Sequence, residues 1–261
     1  MDQKIFTLKN VILVDPNTNY QGLGSIAVKN GRIESVNGKS IGKEIDCKKA
    51  FLAPGIIDIG VKICEPGERH KESFKSAAAA AAAGGITTMV TRPDTNPPID
   101  TPEILEFFLK RAEQVSPIKI LPMAALTKNL EGKEITEMAF LQDKGAVAFT
   151  NGLVQISDPK VFLNALNYAS DLNTLLIAHP QDYYLSNGAS ATSGAFATLR
   201  GLPTVSTIAE KLGIERDITL AETVGVKYHA DQITSKVGID SIHKAKKKGL
   251  KVTAGTSIHH L

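Results

Sequence analysis

Two rhythms of apolar and polar residues divide the chain. Residues 1 to 53 alternate in short pieces: Ile5-Phe6-Thr7-Leu8, Val11-Ile12-Leu13-Val14, Ser25-Ile26-Ala27-Val28 and Arg32-Ile33-Glu34-Ser35-Val36. A period of two suits half-buried strands, and Asn30-Gly31 between the last two tolerates the positive φ of a tight hairpin. Residues 1–53 are therefore expected to form a small β domain. From Gly55 onward, short apolar runs near 56–63, 86–91, 118–124, 146–150, 174–178, 226–231 and 251–256 alternate with helical patterns. The helices are expected near 72–83, 102–114, 134–143, 159–171, 204–213 and 238–248. Such alternation argues for a parallel sheet with right-handed crossovers, and seven repeats favour a barrel over an open sheet. A (β/α)8 barrel needs eight strands. Residues 54–261 are thus expected to form an incomplete α/β barrel lacking strand 8.

Alanine is the best helix former and glycine a common stop, so Ala77 to Ala83 followed by Gly84-Gly85 reads as a close-packed barrel helix and its end. The formal charge of +3 is too small to point to nucleic acid. The basic run from His243 to Lys248 ends a helical segment, where cations complement the helix dipole. No apolar stretch approaches the roughly 20 residues that cross a bilayer, and the N-terminus lacks the pattern of a secretory signal. Neither a membrane nor nucleic acid is expected as a partner, and a cytoplasmic location is. Cys47 and Cys64, the two cysteines, read as buried free thiols rather than as a disulfide or a thiolate metal site.

Chemistry is expected at the C-terminal ends of the barrel strands. Alternate residues of a barrel strand point inward, so Asp58, Gly60, Lys62 and Cys64 should share the inner face of the first one. No P-loop, GxGxxG, serine elbow or CxxC pair offers another chemistry. Pro54-Gly55-Ile56-Ile57-Asp58, Glu65-Pro66-Gly67 and His70-Lys71-Glu72 together resemble the first-strand signature of the dihydroorotase branch of the cyclic amidohydrolases. The likeness continues along the chain. Ala82 to Thr88 and Pro93-Asp94-Thr95-Asn96-Pro97 resemble the family's second strand and substrate loop. Gly145 to Asn151 resembles its fourth strand, Ile177-Ala178-His179 its fifth, Tyr228 to Ser235 its sixth, and Val252-Thr253-Ala254 with His259-His260-Leu261 its seventh.

The resemblance implies a hydrolase scaffold of pyrimidine biosynthesis whose active members use zinc. It also implies that this chain has lost the chemistry. Gly60 and Lys62 stand where the family carries two metal-binding histidines, Asn151 stands for a metal-bridging aspartate, and Gln232 stands for a histidine ligand. Cys64 replaces an arginine that grips the substrate carboxylate. His179 is the one ligand retained, a vestige of the metal site, and Asp94 and Asn96 are vestiges of substrate binding. The eighth strand, which in the family supplies the catalytic aspartate, is expected to be missing. No catalytic residue and no cofactor are expected.

The chemistry of the replacements supports that expectation. A zinc site needs three or four donors, so that bound water falls to a pKa near ~7. Glycine donates nothing, and asparagine and glutamine are weak ligands. A lysine ammonium ~4 Å from a unit charge interacts by about 4 kcal/mol at an effective dielectric of ~20, and a dication doubles that repulsion. His179 could anchor a rebuilt site only with Asp182, Asp231 or His229. Asp231 has the opposite strand parity to Gln232 and is expected to face the barrel wall or helix layer. His229 and His243 read as structural or solvent-facing.

Three functions follow. In the first, the chain is an inactive dihydroorotase-like protein that supports aspartate carbamoyltransferase, or associates with itself, as the family's inactive members imply. The second is an active metal-dependent cyclic amidohydrolase with new ligands. The third is a binder that uses Lys62 in place of the metal charge to hold a carboxylate.

Overall fold

The computed structural model describes residues 5–260, which divide into two compact units, one up to Ile56 and the other from Ile57 on. The first contains β1 (Ile5–Asp15), β2 (Tyr20–Lys29), β3 (Arg32–Val36), β4 (Lys43–Asp46) and β5 (Phe51–Leu52). They form one sheet in the order β3-β2-β1-β4, with β5 also paired to β1. Asn30 and Gly31 have φ of 52° and 74°, the left-handed pair that a two-residue hairpin turn between twisted strands requires. The β1–β2 register shifts between Leu8 and Val11, around Asn10 at φ 53°; this is a bulge that gives β1 one extra residue.

The barrel begins at β6 (Ile56–Val61) and continues through α1 (Phe74–Ala83), β7 (Ile86–Thr91), α2 (Pro102–Val115), β8 (Lys119–Pro122) and β9 (Ala124–Ala125). Next come α3 (Met138–Asp143), β10 (Phe149–Thr150), α4 (Pro159–Asp171), β11 (Leu175–Ala178), α5 (Tyr183–Ser186), β12 (Ala191–Thr192), α6 (Ala195–Leu199) and β13 (Thr204–Val205). The last elements are α7 (Ile208–Val224), β14 (Lys227–Ala230), α8 (Lys236–Lys247) and β15 (Val252–Ala254). The barrel strands run β6-β7-β8 and β9-β10-β11-β14-β15. β8 and β9 are one strand interrupted at Met123, whose amide still donates to Thr91 O at 2.9 Å. Seven strand positions therefore follow one another in chain order among the described residues, the order expected of a (β/α)8-type barrel as far as its seventh strand.

Alternation along the strands separates two apolar layers. Val61, Met89, Phe149, Leu176, Tyr228 and Val252 pack outward into the main core under the helices, while Val90, Met123, Ala148, Leu175 and Ile177 form a small cluster inside the barrel. Burying each large side chain contributes about 1.5–3 kcal/mol. Phe74 of α1 meets Phe108 of α2 edge-to-face at 4.7 Å, tying two neighbouring helices.

Local chemistry sets the helix ends. Ser73 and Ser76 form a reciprocal cap at the start of α1, Asp158 caps α4 ahead of Pro159 in its first turn, and Gly225 at φ 78° ends α7. The helix expected near 204–213 lies instead at 208–224, preceded by an excursion from Asp182 to Thr207. Its short elements α5, β12, α6 and β13 are of two to five residues, too brief for a hydrophobic period to emerge. Cys47, directly after β4, and Cys64, in the loop after β6, are free thiols but only half-buried, because neither lies within a strand that packs into a core layer. No helix among the described residues is long and apolar enough to cross a membrane.

Candidate functional site

Inside the C-terminal end of the barrel, the apolar lining gives way to charged side chains. Lys62 directly follows β6. Its Nζ lies 3.4 Å from Asp94 Oδ2 and 3.9 Å from Glu68 Oε2. Arg92 follows β7 with the parity of Val90. It is only 8% exposed and grips Asp94 with two bonds, Nε to Oδ1 at 3.2 Å and a terminal nitrogen to Oδ2 at 3.1 Å. Two cations thus share one carboxylate. Charge-assisted bidentate pairs of this kind fix a side chain in place as well as neutralising it. Asn96, expected beside Asp94 as a substrate contact, is exposed, and its backbone amide donates to Pro66 O at 3.2 Å.

Asn151 follows β10 and is 3% exposed. Its Oδ1 accepts from the Thr127 amide at 3.0 Å and its amide nitrogen donates to Thr127 Oγ1 at 2.7 Å, so both ends of the side chain are committed to the loop after β9. At the end of β11, His179 Nδ1 sits 3.4 Å from the carbonyl oxygen of Asp231. Burial pushes the His179 pKa below its ordinary value, opposed by that carbonyl and by the Asp231 and Glu210 carboxylates and assisted by the Arg92 charge. His229, on β14, is bonded through Nδ1 to Thr253 Oγ1 on β15 at 2.7 Å. Burial lowers its pKa too, and the Asp231 charge raises it.

Asp231 corrects the sequence expectation. Tyr228 and Ala230 pack outward into the helix-facing core, so His229 and Asp231 take the inward positions. A Cβ built on Gly60 would lie 3.7 Å from Asp231 Oδ2, which places that carboxylate inside the barrel across from the first strand. Parity with Gln232 does not set the direction of Asp231, because β14 ends at Ala230 and Gln232, at φ 57°, has left the extended conformation. Asp182, by contrast, is engaged elsewhere, accepting from the Leu185 amide at 2.9 Å as the cap of α5. His243, His259 and His260 are exposed.

Arg92 was not singled out by motif, although its signal is present: a cation immediately after an apolar strand at the chemically important end of the barrel. Glu210 was missed as well. Only 5% exposed on α7, it accepts from the backbone amides and hydroxyls of Thr234 and Ser235 at 2.5–3.0 Å, placing an anion at the start of α8.

A catalytic metal ion does not fit this arrangement. Among the described residues, no group of three or more His, Cys, Asp or Glu side chains is placed to hold one. Both polar atoms of the Asn151 side chain are bonded to Thr127, Gly60 has no side chain, and Lys62 brings an ammonium group to the same mouth.

The sequence model of the Dihydro-orotase-like family matches residues 49–238. A dihydroorotase-like protein of Pseudomonas putida is 37% identical over 253 residues, covering 95% of this chain and 60% of that protein. The dihydroorotase of Aquifex aeolicus is 35% identical over 257 residues, covering 97% and 61%. Among solved structures, the L-hydantoinase of Arthrobacter aurescens superposes with a TM-score of 0.82 at 20% identity, over 96% of this chain and 58% of that one. The chain spans about three fifths of the length of the curated relatives it matches. With a family match over most of its length and relatives above 30% identity, the chain belongs to the dihydroorotase-like family.

Proposed function

We propose that this chain is a catalytically inactive dihydroorotase-like protein that acts as a structural partner of aspartate carbamoyltransferase in pyrimidine biosynthesis. One observation supports the inactive half of the reading: Gly60, Lys62, Asn151 and Gln232 stand at the positions that the motif resemblance equates with metal ligands, and Lys62 and Asn151 are engaged in bonds of their own. An activated hydroxide needs an ion with an open position and enough donors around it. The partnership rests on the family's inactive members.

A competing reading, an active cyclic amidohydrolase with a rebuilt metal site, draws on Asp231, which turns inward near His179 and His229. Metal analysis of the purified protein with a dihydroorotate turnover assay separates the two: stoichiometric zinc with ring opening supports the competitor and rejects the inactive reading. Co-expression with the carbamoyltransferase tests the partnership. A joint peak on a sizing column is expected, and separate elution rejects it. Holding a carboxylate through Lys62 is disfavoured, because Asp94 and Glu68 already flank that ammonium.

A further inference from the structure

We infer that the barrel mouth has exchanged a metal ion for a built-in ammonium, and that the backbone at Gly60 bars the return of a histidine ligand. The inference rests on the reading of the site as metal-free and extends it from missing donors to a site rebuilt around a different cation.

Two carboxylates from separate segments, Asp94 after β7 and Glu68 after β6, lie within 4 Å of Lys62 Nζ. Arg92 holds Asp94 as well, sharing Oδ2 with Lys62 and donating to Oδ1. Holding acidic groups from different strands together is a task a cation can perform, and here a side chain performs it. Lys62 therefore ties the loop after β6 to the loop after β7 without an ion from solution.

Gly60 makes the exchange hard to reverse. Its φ is +89°, a conformation that L residues rarely adopt, since their Cβ crowds the backbone there. Space is not the obstacle. A Cβ at this position would meet nothing nearer than Asp231 Oδ2 at 3.7 Å, an ordinary contact. The bar is thus the backbone itself, and restoring the side-chain types would not restore their geometry. Gln232 differs in this respect: at φ 57° it sits in the left-handed region that histidine also visits, so its replacement meets no comparable bar.

The test uses the full chain in four forms: wild type, Gly60→Ala, Lys62→Met, and the combined Gly60→His, Lys62→His, Asn151→Asp, Gln232→His. Each is melted with and without zinc or chelator, and bound zinc is measured after desalting. Wild type is expected to hold no zinc and to melt identically in chelator. Gly60→Ala is expected to melt about 2–8 °C lower although its methyl group has room. Lys62→Met is expected to melt about 2–4 °C lower, with the loss shrinking in 1 M salt. The fourfold variant is expected to retain no stoichiometric zinc. Zinc retained by the fourfold variant, or unchanged melting of Gly60→Ala or Lys62→Met, overturns the inference while leaving wild type inactive. Zinc bound by wild type overturns the metal-free reading beneath it. If the fourfold variant does not fold, the two single variants decide.

Discussion

Asn151 and Thr127 are joined by a reciprocal pair of hydrogen bonds, amide to carbonyl oxygen at 3.0 Å and side-chain amide to hydroxyl at 2.7 Å. Asn151 thereby straps together the chain just after β9 and the end of β10. Thr127 Oγ1 also accepts from the Gly132 amide at 2.9 Å, so the same hydroxyl orders the following turn. Replacing Asn151 with aspartate puts a charge at a 3% exposed position and removes the donor to Thr127. Asn151→Asp should therefore destabilise the fold by about 1–3 kcal/mol in urea titrations, and added zinc should recover none of it.

Glu210 offers a stronger test of the same principle. Its carboxylate receives four hydrogen bonds from Thr234 and Ser235 and sits at the positive end of α8. Glu210→Gln turns an amide group toward donors and removes the charge. The expected loss is about 2–3 kcal/mol, seen as a lower urea midpoint with an unchanged slope.

Tyr228 and Asp217 form a buried pair. The phenol donates to Asp217 Oδ2 at 2.8 Å, and Arg216 holds Oδ1 at 2.7–2.9 Å. Burial raises the Asp217 pKa despite Arg216 and raises that of Tyr228 well above its ordinary value. Tyr228→Phe keeps the ring against Phe162 but strips one carboxylate oxygen of its partner. A loss of about 1–3 kcal/mol is expected, and Asp217→Asn combined with Tyr228→Phe should cost less than the sum of the single changes.

His179 and His229 give the fold a pH dependence with a definite sign. Both pKa values lie below the ordinary 6.5 because burial disfavours the imidazolium. On acidification the unfolded chain takes up these protons first, so the stability the neutral rings contribute is fully present above pH 6.5 and is lost as pH falls through their folded values. Chemical denaturation between pH 7.5 and 5 should show stability declining from about pH 6.5, by at most ~1.4 kcal/mol per pH unit for each histidine. His179→Gln should flatten that decline, and an equal slope in the variant would exclude the assignment.

The order of the barrel strands was legible because each apolar run between 56 and 231 is followed by a helical period, a pattern that needs no tertiary information. Asn30-Gly31 announced its hairpin for the same reason: the turn depends only on what φ those residues tolerate. The likeness to dihydroorotases could also be read residue by residue, from motifs such as Pro54 to Asp58 and Ile177-Ala178-His179. Partnerships across sequence distance could not be. That Lys62 pairs with Asp94, that Asn151 straps Thr127, and that Glu210 reaches Ser235 depends on which loops meet at the barrel mouth. The direction of Asp231 and the left-handed backbone at Gly60 were likewise decided in three dimensions. Alternation predicts facing only while a strand stays extended, and these residues lie where extension ends or is locally broken.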